Sequence, residues 1–349
     1  MLRVLVVVAV LAFLAGCSQG GEARGEPEAI ATVGIRQVEF IDRGGDTGDR
    51  HLAMNVFYPA EAASPDPEPF PMPFFTGVTV YPDLAPAVDG QRHPLILFSH
   101  GRGSNGLMYT WFAQALASRG YIVAALDHYR ANSYDASIVY LANKLWQRPR
   151  DLTLAANFLV EDAFWGPLID KNKIGVAGHS QGGFTALWLG GARVDAEKYL
   201  TFQRGWKNNR MVPQHLRDQL PLDAAPALDV ADPRVKAVFA MAPGVVQAFG
   251  MDEAGLRQMK VPAYLTVGAR DTQTPPDENA EFAAANIPGS ELNVIPGDVD
   301  HEIFVNECNQ IGRDEFPGAC IDAPGVDRAA IHREIADEAS RFFDSHLRG

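Results

Sequence analysis

Apolar residues in this chain fall into short runs that alternate with segments of helical spacing. The runs at 95–98 and 121–126 predict buried strands, whereas apolar positions on one face of 150–160 predict a helix. Near-continuous apolar strands that alternate with helices are typical of a parallel sheet covered on both faces. The same patterns predict strands at 173–177, 235–240, 263–267 and 292–295, and helices at 111–119, 180–189 and 327–347.

Three parts of the chain depart from this rhythm. Residues 32–40 and 51–58 alternate polar and apolar positions, which predicts an antiparallel pair at the edge of the sheet. Residues 193–232 interrupt the strand–helix pattern, and we interpret them as an insertion, or lid, above the carboxyl edge of the sheet. Five prolines between residues 64 and 73 predict a surface loop between the early strands.

The first residues have the pattern of a targeting signal. Arg3 precedes an unbroken apolar run of eleven residues, 4–14, which is shorter than the roughly 20 residues of a membrane-spanning helix. Leu14-Ala15-Gly16-Cys17 then resembles the lipobox of bacterial lipoproteins, in which the cysteine is acylated and becomes the new N-terminus. The alternative is a plain secretory signal with an incidental cysteine.

These patterns divide the chain into three parts. We expect a signal peptide at 1–16, a Gly/Glu-rich tether at 17–30 and one catalytic domain at 31–349. The protein is then an exported lipoprotein of a bacterial membrane, anchored through Cys17 and facing the periplasm or the cell surface. By the sorting habits of lipoproteins, Ser18 favours the outer membrane.

The two remaining cysteines, Cys308 and Cys320, lie twelve positions apart in a loop-like stretch. In an oxidising compartment we expect them to form a disulfide, and two free thiols are the alternative. A disulfide closing a loop of that length stabilises a protein by about 3 kcal/mol in the chain-entropy model. Neither cysteine has the CxxC or His-rich spacing of a metal site, so we expect no metal ion.

Charge and composition restrict the partners of the chain. Its 349 residues are 47% hydrophobic and 21% charged, as in ordinary globular proteins. Acidic residues outnumber basic residues by 43 to 30, which gives a net charge of −13 and argues against a nucleic-acid-binding surface. No partner beyond a small molecule and the membrane is indicated, and the oligomeric state stays open.

The most informative segment is Ile174-Gly-Val-Ala-Gly-His-Ser-Gln-Gly-Gly183, which places Gly178-x-Ser180-x-Gly182 between a predicted strand and a predicted helix. A nucleophilic serine needs this spacing, because a tight strand-to-helix turn exposes its hydroxyl and small neighbours let the chains approach. The helix N-terminus also favours developing negative charge. A Gly-rich turn with a structural serine is the alternative interpretation.

This segment resembles the nucleophile elbow of α/β-hydrolases. Residues 98–103 and 120–128 extend the likeness to bacterial esterases similar to dienelactone hydrolases and platelet-activating-factor acetylhydrolases, over about residues 31–349. The resemblance implies an α/β-hydrolase fold, with a mostly parallel sheet flanked by helices. It also implies a Ser-Asp-His triad that needs no cofactor and acts on a small-molecule ester.

An acyl-transfer serine also needs two donors for the oxyanion. One is expected to be the amide of Gln181, which follows the nucleophile. The resemblance assigns the other to the amide of Arg102, in a loop similar to the HGxG loop of the family, where His100 is structural. Asp127 and His128 line the pocket, brace this loop or form a structural pair.

The acid and the base are expected downstream of Ser180, in the order serine, carboxylate, histidine. His301 follows a predicted strand and is the predicted base, whereas we expect His332 and His346 at surface positions of the last helix. Asp271 follows the strand at 263–267 and is the predicted acid, as in dienelactone hydrolases. That group has a cysteine nucleophile, which leaves the substrate open.

Several further interpretations stay open at this point. Asp298 and Asp300 are fallback acids, and Arg150 and Asp151 are expected to form surface or helix-start contacts. The same triad would also serve a lactone, phospholipid-acyl or polyester hydrolase. A protein of a different class, a catalytically silent hydrolase fold that binds a partner, is the remaining hypothesis.

Overall fold

The computed structural model describes residues 32–44, 48–62, 67–139, 144–210, 212–219 and 229–349. The predicted signal peptide, the predicted lipidation site Cys17 and the predicted tether lie outside these residues. Within the described part of the chain, no helix has both the length and the apolar character needed to cross a membrane.

The described strands form one sheet of nine, in the order β3-β1-β2-β5-β4-β6-β7-β8-β9. Strand β2 pairs antiparallel with both of its neighbours, and every other pairing is parallel. The strands are β1 (Thr32–Asp42), β2 (Arg50–Ala60), β3 (Tyr81–Pro82), β4 (His93–Ser99), β5 (Ile122–Asp127), β6 (Ile169–His179), β7 (Val235–Met241), β8 (Ala263–Gly268) and β9 (Glu291–Ile295).

Helices cover both faces of the sheet. Successive residues of β4 point into different cores: Leu95 and Leu97 pack with α2 and α3, whereas Ile96 and Phe98 pack with α1 and α10. The described helices are α1 (Thr110–Ala117), α2 (Gln147–Glu161), α3 (Gln181–Leu189), α4 (Ala196–Asn208), α5 (Gln214–Gln219), α6 (Glu253–Leu256), α7 (Ala280–Asn286), α8 (Gln310–Glu315), α9 (Pro317–Cys320) and α10 (Arg328–Leu347).

The predicted architecture is confirmed, because a mostly parallel sheet lies between two helical layers. The antiparallel pair β1–β2 is present, but the two-residue strand β3 lies outside it, paired with Gly34 and Ile35 of β1. Pattern analysis missed β3 because two residues are too few to carry a periodicity.

The disulfide loop packs against the proline-rich segment. Cys308 and Cys320 form the predicted disulfide, with Cα atoms 5.5 Å apart, around helices α8 and α9. The amide of Thr76 donates to the carbonyl of Glu307 at 2.9 Å, and the amide of Asn309 donates to the carbonyl of Phe74 at 3.0 Å. These bonds join two segments far apart in sequence into one surface unit.

The topology brings three loops to one edge of the sheet. Ser180 follows β6, Asp271 lies in the loop after β8, and His301 lies in the loop after β9. Strands β6, β7, β8 and β9 are parallel neighbours, so their carboxyl ends meet at the same edge. In open α/β sheets this edge is where ligands bind.

Candidate active site

Ser180 lies on a strained turn between β6 and α3. Its backbone has φ 56° and ψ −121°, in the left-handed half of φ that a residue with a side chain rarely adopts. Two backbone hydrogen bonds hold this conformation. The amide of Ser180 donates to the carbonyl of Met241 at 2.9 Å, and the carbonyl of Ser180 accepts from the amide of Gly244 at 2.8 Å.

Two glycines make this turn possible. A Cβ at Gly182 would lie 1.9 Å from the carbonyl oxygen of Ser99, and a Cβ at Gly178 would lie 2.3 Å from the carbonyl oxygen of Gly182. Both obstacles are backbone atoms, which cannot rotate away as a side chain can. The motif therefore has glycine at both positions because the end of β4 and the start of α3 touch.

His301 and Asp271 are directly bonded. Nδ1 of His301 lies 2.6 Å from Oδ2 of Asp271, and both side chains are buried. An ionised carboxylate only accepts hydrogen bonds, so Nδ1 carries the proton and donates it. Nε2 is then the nitrogen that can accept a proton.

The carboxylate of Asp271 is itself fixed in place. Its Oδ1 accepts from the amides of Gln273 at 2.9 Å and Thr274 at 2.7 Å, and its Oδ2 accepts from the hydroxyl of Thr274 at 2.8 Å. Of the candidate acids, Asp271 is therefore the one bonded to His301. Asp298 instead pairs with Arg270 at 3.4 Å, and Asp300 accepts from the amide of Glu302.

Ser180 and His301 line the same pocket, which has a volume of about 380 Å³. Arg102, Gln181, Gln273 and Phe202 are among the other lining residues. Phe202 belongs to α4 and comes from the segment interpreted as an insertion. Residues 211 and 220–228 of that segment lie outside the described residues, and the predicted lid behaviour stays a prediction.

The predicted oxyanion residues flank Ser180 from two sides. Gln181 is the first residue of α3 and directly follows Ser180. Arg102 is exposed in the loop after β4, where the neighbouring Gly101 lies so close that its Cβ would be 3.5 Å from the Cβ of Ser180. The structure thus places both residues at the pocket, and their role as donors stays a prediction.

A pair of buried side chains that the sequence did not single out connects these loops. The amide of Gly101 donates to the hydroxyl of Tyr109 at 3.1 Å, and that hydroxyl lies 3.0 Å from Nδ1 of His179. Nε2 of His179 lies 3.1 Å from the carbonyl oxygen of His301. Since a carbonyl only accepts, Nε2 donates and Nδ1 accepts from Tyr109.

The charge states of this pair agree with the bonding pattern. Burial holds the pKa of His179 well below its ordinary value, so the ring is neutral near pH 7. Burial also raises the pKa of Tyr109 to about 12, which keeps the phenol protonated. A neutral hydrogen-bonded chain therefore runs from Gly101 in the loop after β4, through His179 beside Ser180, to the loop that carries His301.

A second group of a serine, a histidine and an aspartate lies beneath the loop after β4, and all three side chains are buried. The hydroxyl of Ser99 lies 2.8 Å from Nε2 of His128, and Nδ1 of His128 lies 3.3 Å from Oδ2 of Asp151. Arg148 donates to the hydroxyl of Ser99 and to the carbonyl of His100. Neither Ser99 nor His128 lines the pocket described above.

This arrangement braces the loop, which is one of the roles left open for His128 and Asp127. His100 is buried and structural as expected, since its Nδ1 donates to the carbonyl of Gly101 and its Nε2 accepts from the amide of His128. Asp127 accepts from the amide of Gly106 at 2.7 Å. Burial lowers the pKa of Arg148 to about 9, which still leaves the guanidinium charged near pH 7.

Two expectations about polar residues were wrong. Asp151 is buried, not a surface residue, and it forms an ion pair with Arg50, which also contacts Asp42. His332 is buried as well: its ring stacks on Trp111 with centroids 3.8 Å apart, and its Nε2 donates to the carbonyl of Ile303. In both cases the partner lies far away in sequence, so no local pattern marks the position.

The described residues contain no group of three or more His, Cys, Asp or Glu side chains arranged to hold a metal ion. His346 and His215 are exposed at the surface. The pocket is lined by the hydroxyl of Ser180 and by the imidazole of His301, which is bonded to the carboxylate of Asp271.

The sequence is similar to platelet-activating factor acetylhydrolases over part of its length. A family model described as "Platelet-activating factor acetylhydrolase, isoform II" matches residues 79–151, a range that holds Arg102 but not Ser180. The platelet-activating factor acetylhydrolase of Canis lupus familiaris is 28% identical over 158 residues, 33% of this chain and 36% of the relative. That of Bos taurus is 28% identical over 141 residues, 28% of this chain and 32% of the relative. The chain thus spans about a third of the length of these relatives.

Similar solved structures extend the likeness to nearly the whole chain. A ferulic acid esterase from Streptomyces cinnamoneus superimposes with a TM-score of 0.64 at 22% identity, covering 93% of both chains. A dienelactone hydrolase from Anabaena variabilis gives 0.47 at 17% identity, over 89% of this chain and 99% of the other, which is too distant to support a conclusion. The first likeness shows a shared fold.

The elbow packing leads to a stability prediction. Gly182→Ala puts a methyl group against the carbonyl of Ser99, so we expect the free energy of unfolding to fall by at least about 2 kcal/mol in urea unfolding. The control is Gly205→Ala in α4, where an added Cβ meets nothing within 4 Å. That variant should be neutral or more stable by up to about 1 kcal/mol. Equal stability of the two variants would contradict the packing argument.

The Tyr109–His179 bond leads to a second prediction. Tyr109→Phe leaves Nδ1 of His179 and the amide of Gly101 buried without their partner, which should cost about 1–3 kcal/mol of unfolding free energy. Tyr134→Phe serves as the control, because that side chain is 68% exposed, and it should change stability by less than about 0.5 kcal/mol. Thermal unfolding followed by circular dichroism measures both. A Tyr109→Phe variant as stable as the wild type would show that this hydrogen bond does not contribute to the free energy of unfolding.

Proposed function

We propose that this chain, which has the α/β-hydrolase fold, is a serine hydrolase that cleaves carboxylic esters through an acyl-enzyme on Ser180. The observation that carries the proposal is the bonded pair His301–Asp271, which shares one pocket with a serine on a strained elbow. The similarity to acetylhydrolases and to an esterase of the same fold supports ester hydrolysis as the reaction class.

Each residue has a distinct part in the proposed reaction. Nε2 of His301 accepts the hydroxyl proton of Ser180 while the oxygen attacks the ester carbonyl, and Asp271 holds the ring in the tautomer that allows this. The protonated imidazole then gives its proton to the leaving alcohol. Water, activated by the same imidazole, hydrolyses the acyl-enzyme and restores the serine.

The amides of Arg102 and Gln181 are the proposed donors to the oxyanion. Gln181 begins α3, where helix amides point toward developing negative charge. Arg102 lies in the loop that the buried network around Arg148 holds from below. Fixed donors of this kind need no reorganisation when the charge appears, which is why a rigid loop benefits the reaction.

Replacement of Ser180 tests this proposal. We expect Ser180→Ala to lower kcat for p-nitrophenyl acetate at least about 10⁴-fold and to abolish labelling by a fluorophosphonate probe. Ser99→Ala is the matched control, because Ser99 is the serine of the other, fully buried serine–histidine–aspartate arrangement. The Ser99 variant should still be labelled.

The outcomes separate the candidate functions. Absence of labelling in the folded wild-type protein would favour a silent binding protein over a hydrolase. Loss of labelling only in the Ser99 variant would contradict the assignment of the nucleophile. If Ser180 is labelled, a panel of simple esters, lactones, phospholipids and polyesters identifies the substrate class among those that the triad would serve.

We further propose that the protein is exported and anchored to a bacterial membrane by a lipid on Cys17. The lipobox-like sequence supports this location, and so does the Cys308–Cys320 disulfide, since disulfides persist in oxidising compartments.

A fractionation experiment tests the anchor. In a bacterial host, the wild-type chain should sediment with membranes and incorporate labelled palmitate, whereas Cys17→Ser should do neither. Wild-type protein found soluble and unlabelled in the periplasm would favour the plain secretory signal and overturn the lipoprotein proposal.

A further inference from the structure

A second cavity adjoins the candidate active site. It has a volume of about 500 Å³, within the size range of small-molecule sites, and it lies between the oxyanion loop and the disulfide loop. Gly103, Met108 and Val305 line this cavity and the Ser180 pocket alike. The two spaces therefore adjoin each other at these three residues.

The lining of the second cavity is apolar. None of the described residues that line it is charged. Its polar side-chain groups are those of Asn105 and Ser133, which bond to each other at 2.7 Å, and the hydroxyl of Tyr134. A charged group placed there would lose hydration without gaining a partner of opposite charge. The main apolar contributors are Met72, Phe74, Phe75, Leu107, Tyr134 and Phe316.

Two of the segments that line the cavity, 71–75 and 316–320, hold each other in place. Phe74 and Phe316 contact edge to face with ring centroids 5.3 Å apart, and Gly312 packs so closely that its Cβ would lie 2.3 Å from the carbonyl of Phe74. The disulfide closes the loop that carries Phe316. Because packing and backbone hydrogen bonds join these two walls, the cavity is part of the folded chain without a ligand.

Two aromatic side chains of the lining remain largely accessible. Tyr134 is 68% exposed and Phe316 is 50% exposed. Covering such apolar area with an apolar ligand is favourable, at roughly 25 cal/mol per Å² removed from water. The exposed rings therefore offer binding energy to a ligand that already has its reacting group at Ser180.

We propose that this cavity binds an uncharged alkyl or aryl group of the ester, while the ester carbonyl lies between Ser180 and the oxyanion loop. This inference rests on the proposed hydrolase function and adds the substrate class: esters with one bulky apolar portion. The cavity excludes charged head groups at that end of the substrate. The apolar portion belongs either to the acyl group or to the alcohol.

Filling the cavity tests the proposal. Ala319 lines it, and Ala319→Phe adds a ring at the wall, whereas Ile321→Phe adds a ring at a position that is 57% exposed and not part of the lining. For p-nitrophenyl esters, the measured quantity is the ratio of kcat/KM for the octanoate to kcat/KM for the acetate. If the acyl chain occupies the cavity, Ala319→Phe should lower this ratio at least 10-fold, whereas Ile321→Phe should leave it within 2-fold of the wild type.

A second series of substrates identifies the part of the ester that enters the cavity. Acetates of ethanol, octanol and 2-naphthol vary the alcohol at constant acyl group. A 10-fold loss confined to the acyl series places the acyl chain in the cavity, and a loss confined to the alcohol series places the alcohol there. Ratios unchanged by Ala319→Phe in both series would overturn the proposal.

Two further measurements keep this result separate from the catalytic proposal and from misfolding. Phe316→Ala removes one wall and should lower the activity ratio of the same substrate series that Ala319→Phe affects, which guards against a misfolded Ala319→Phe variant. In the Ser180→Ala background, calorimetric binding of octyl acetate and p-nitrophenyl octanoate should weaken at least 10-fold with Ala319→Phe for the ester that uses the cavity. Unchanged binding of both esters would refute the cavity assignment even if Ser180 is the nucleophile.

Discussion

The close approach of the end of β4 to the start of α3 determines the geometry of the whole site. The backbone of Gly182 touches the carbonyl of Ser99, and a single added carbon would not fit between them. This contact places the loop after β4 beside the elbow, so that Gly101 lies against Ser180. It also forces the turn at Ser180 into a backbone conformation with positive φ, which the bonds to Met241 and Gly244 then hold.

Such a close contact requires that neighbouring residues hold the loop after β4 in place, and these residues are polar. The buried guanidinium of Arg148 donates to the carbonyl of His100. Three histidines complete the network, and burial keeps the pKa values of His100, His128 and His179 low. Neutral imidazoles can each donate one bond and accept one, which lets them link loops without adding buried charge.

The comparison of two serine–histidine–aspartate arrangements shows why a residue pattern alone does not define a catalytic site. Ser99 and Ser180 are both near a histidine, but Ser99 has no exposed surface and an arginine donates to its hydroxyl. Ser180 lines a pocket, whereas Ser99 does not. Access to a pocket, rather than residue identity, distinguishes the two serines.

Much of this could be predicted from the sequence, because the signals are local. Apolar runs predicted the strands, and the order of motifs placed Ser180, Asp271 and His301 at strand ends. The partners of Asp151, His332 and His179 could not be predicted in this way. Arg50 is 101 residues from Asp151, and Tyr109 is 70 residues from His179. The partner of a buried polar residue is defined by the folded chain and not by the neighbouring sequence. The hydrogen bonds between the proline-rich segment and the disulfide loop also join residues far apart in sequence.

The disulfide loop has a consequence for how this scaffold can diversify. It lies outside the sheet and is closed on itself by a covalent bond, and the cavity that it lines shares Gly103, Met108 and Val305 with the Ser180 pocket. In the described part of the chain, no residue of this loop lines the Ser180 pocket itself. Under the proposed function, substrate preference and bond-breaking chemistry therefore lie on separate parts of the chain, and directed evolution aimed at new substrates has a self-contained region of about a dozen residues on which to begin.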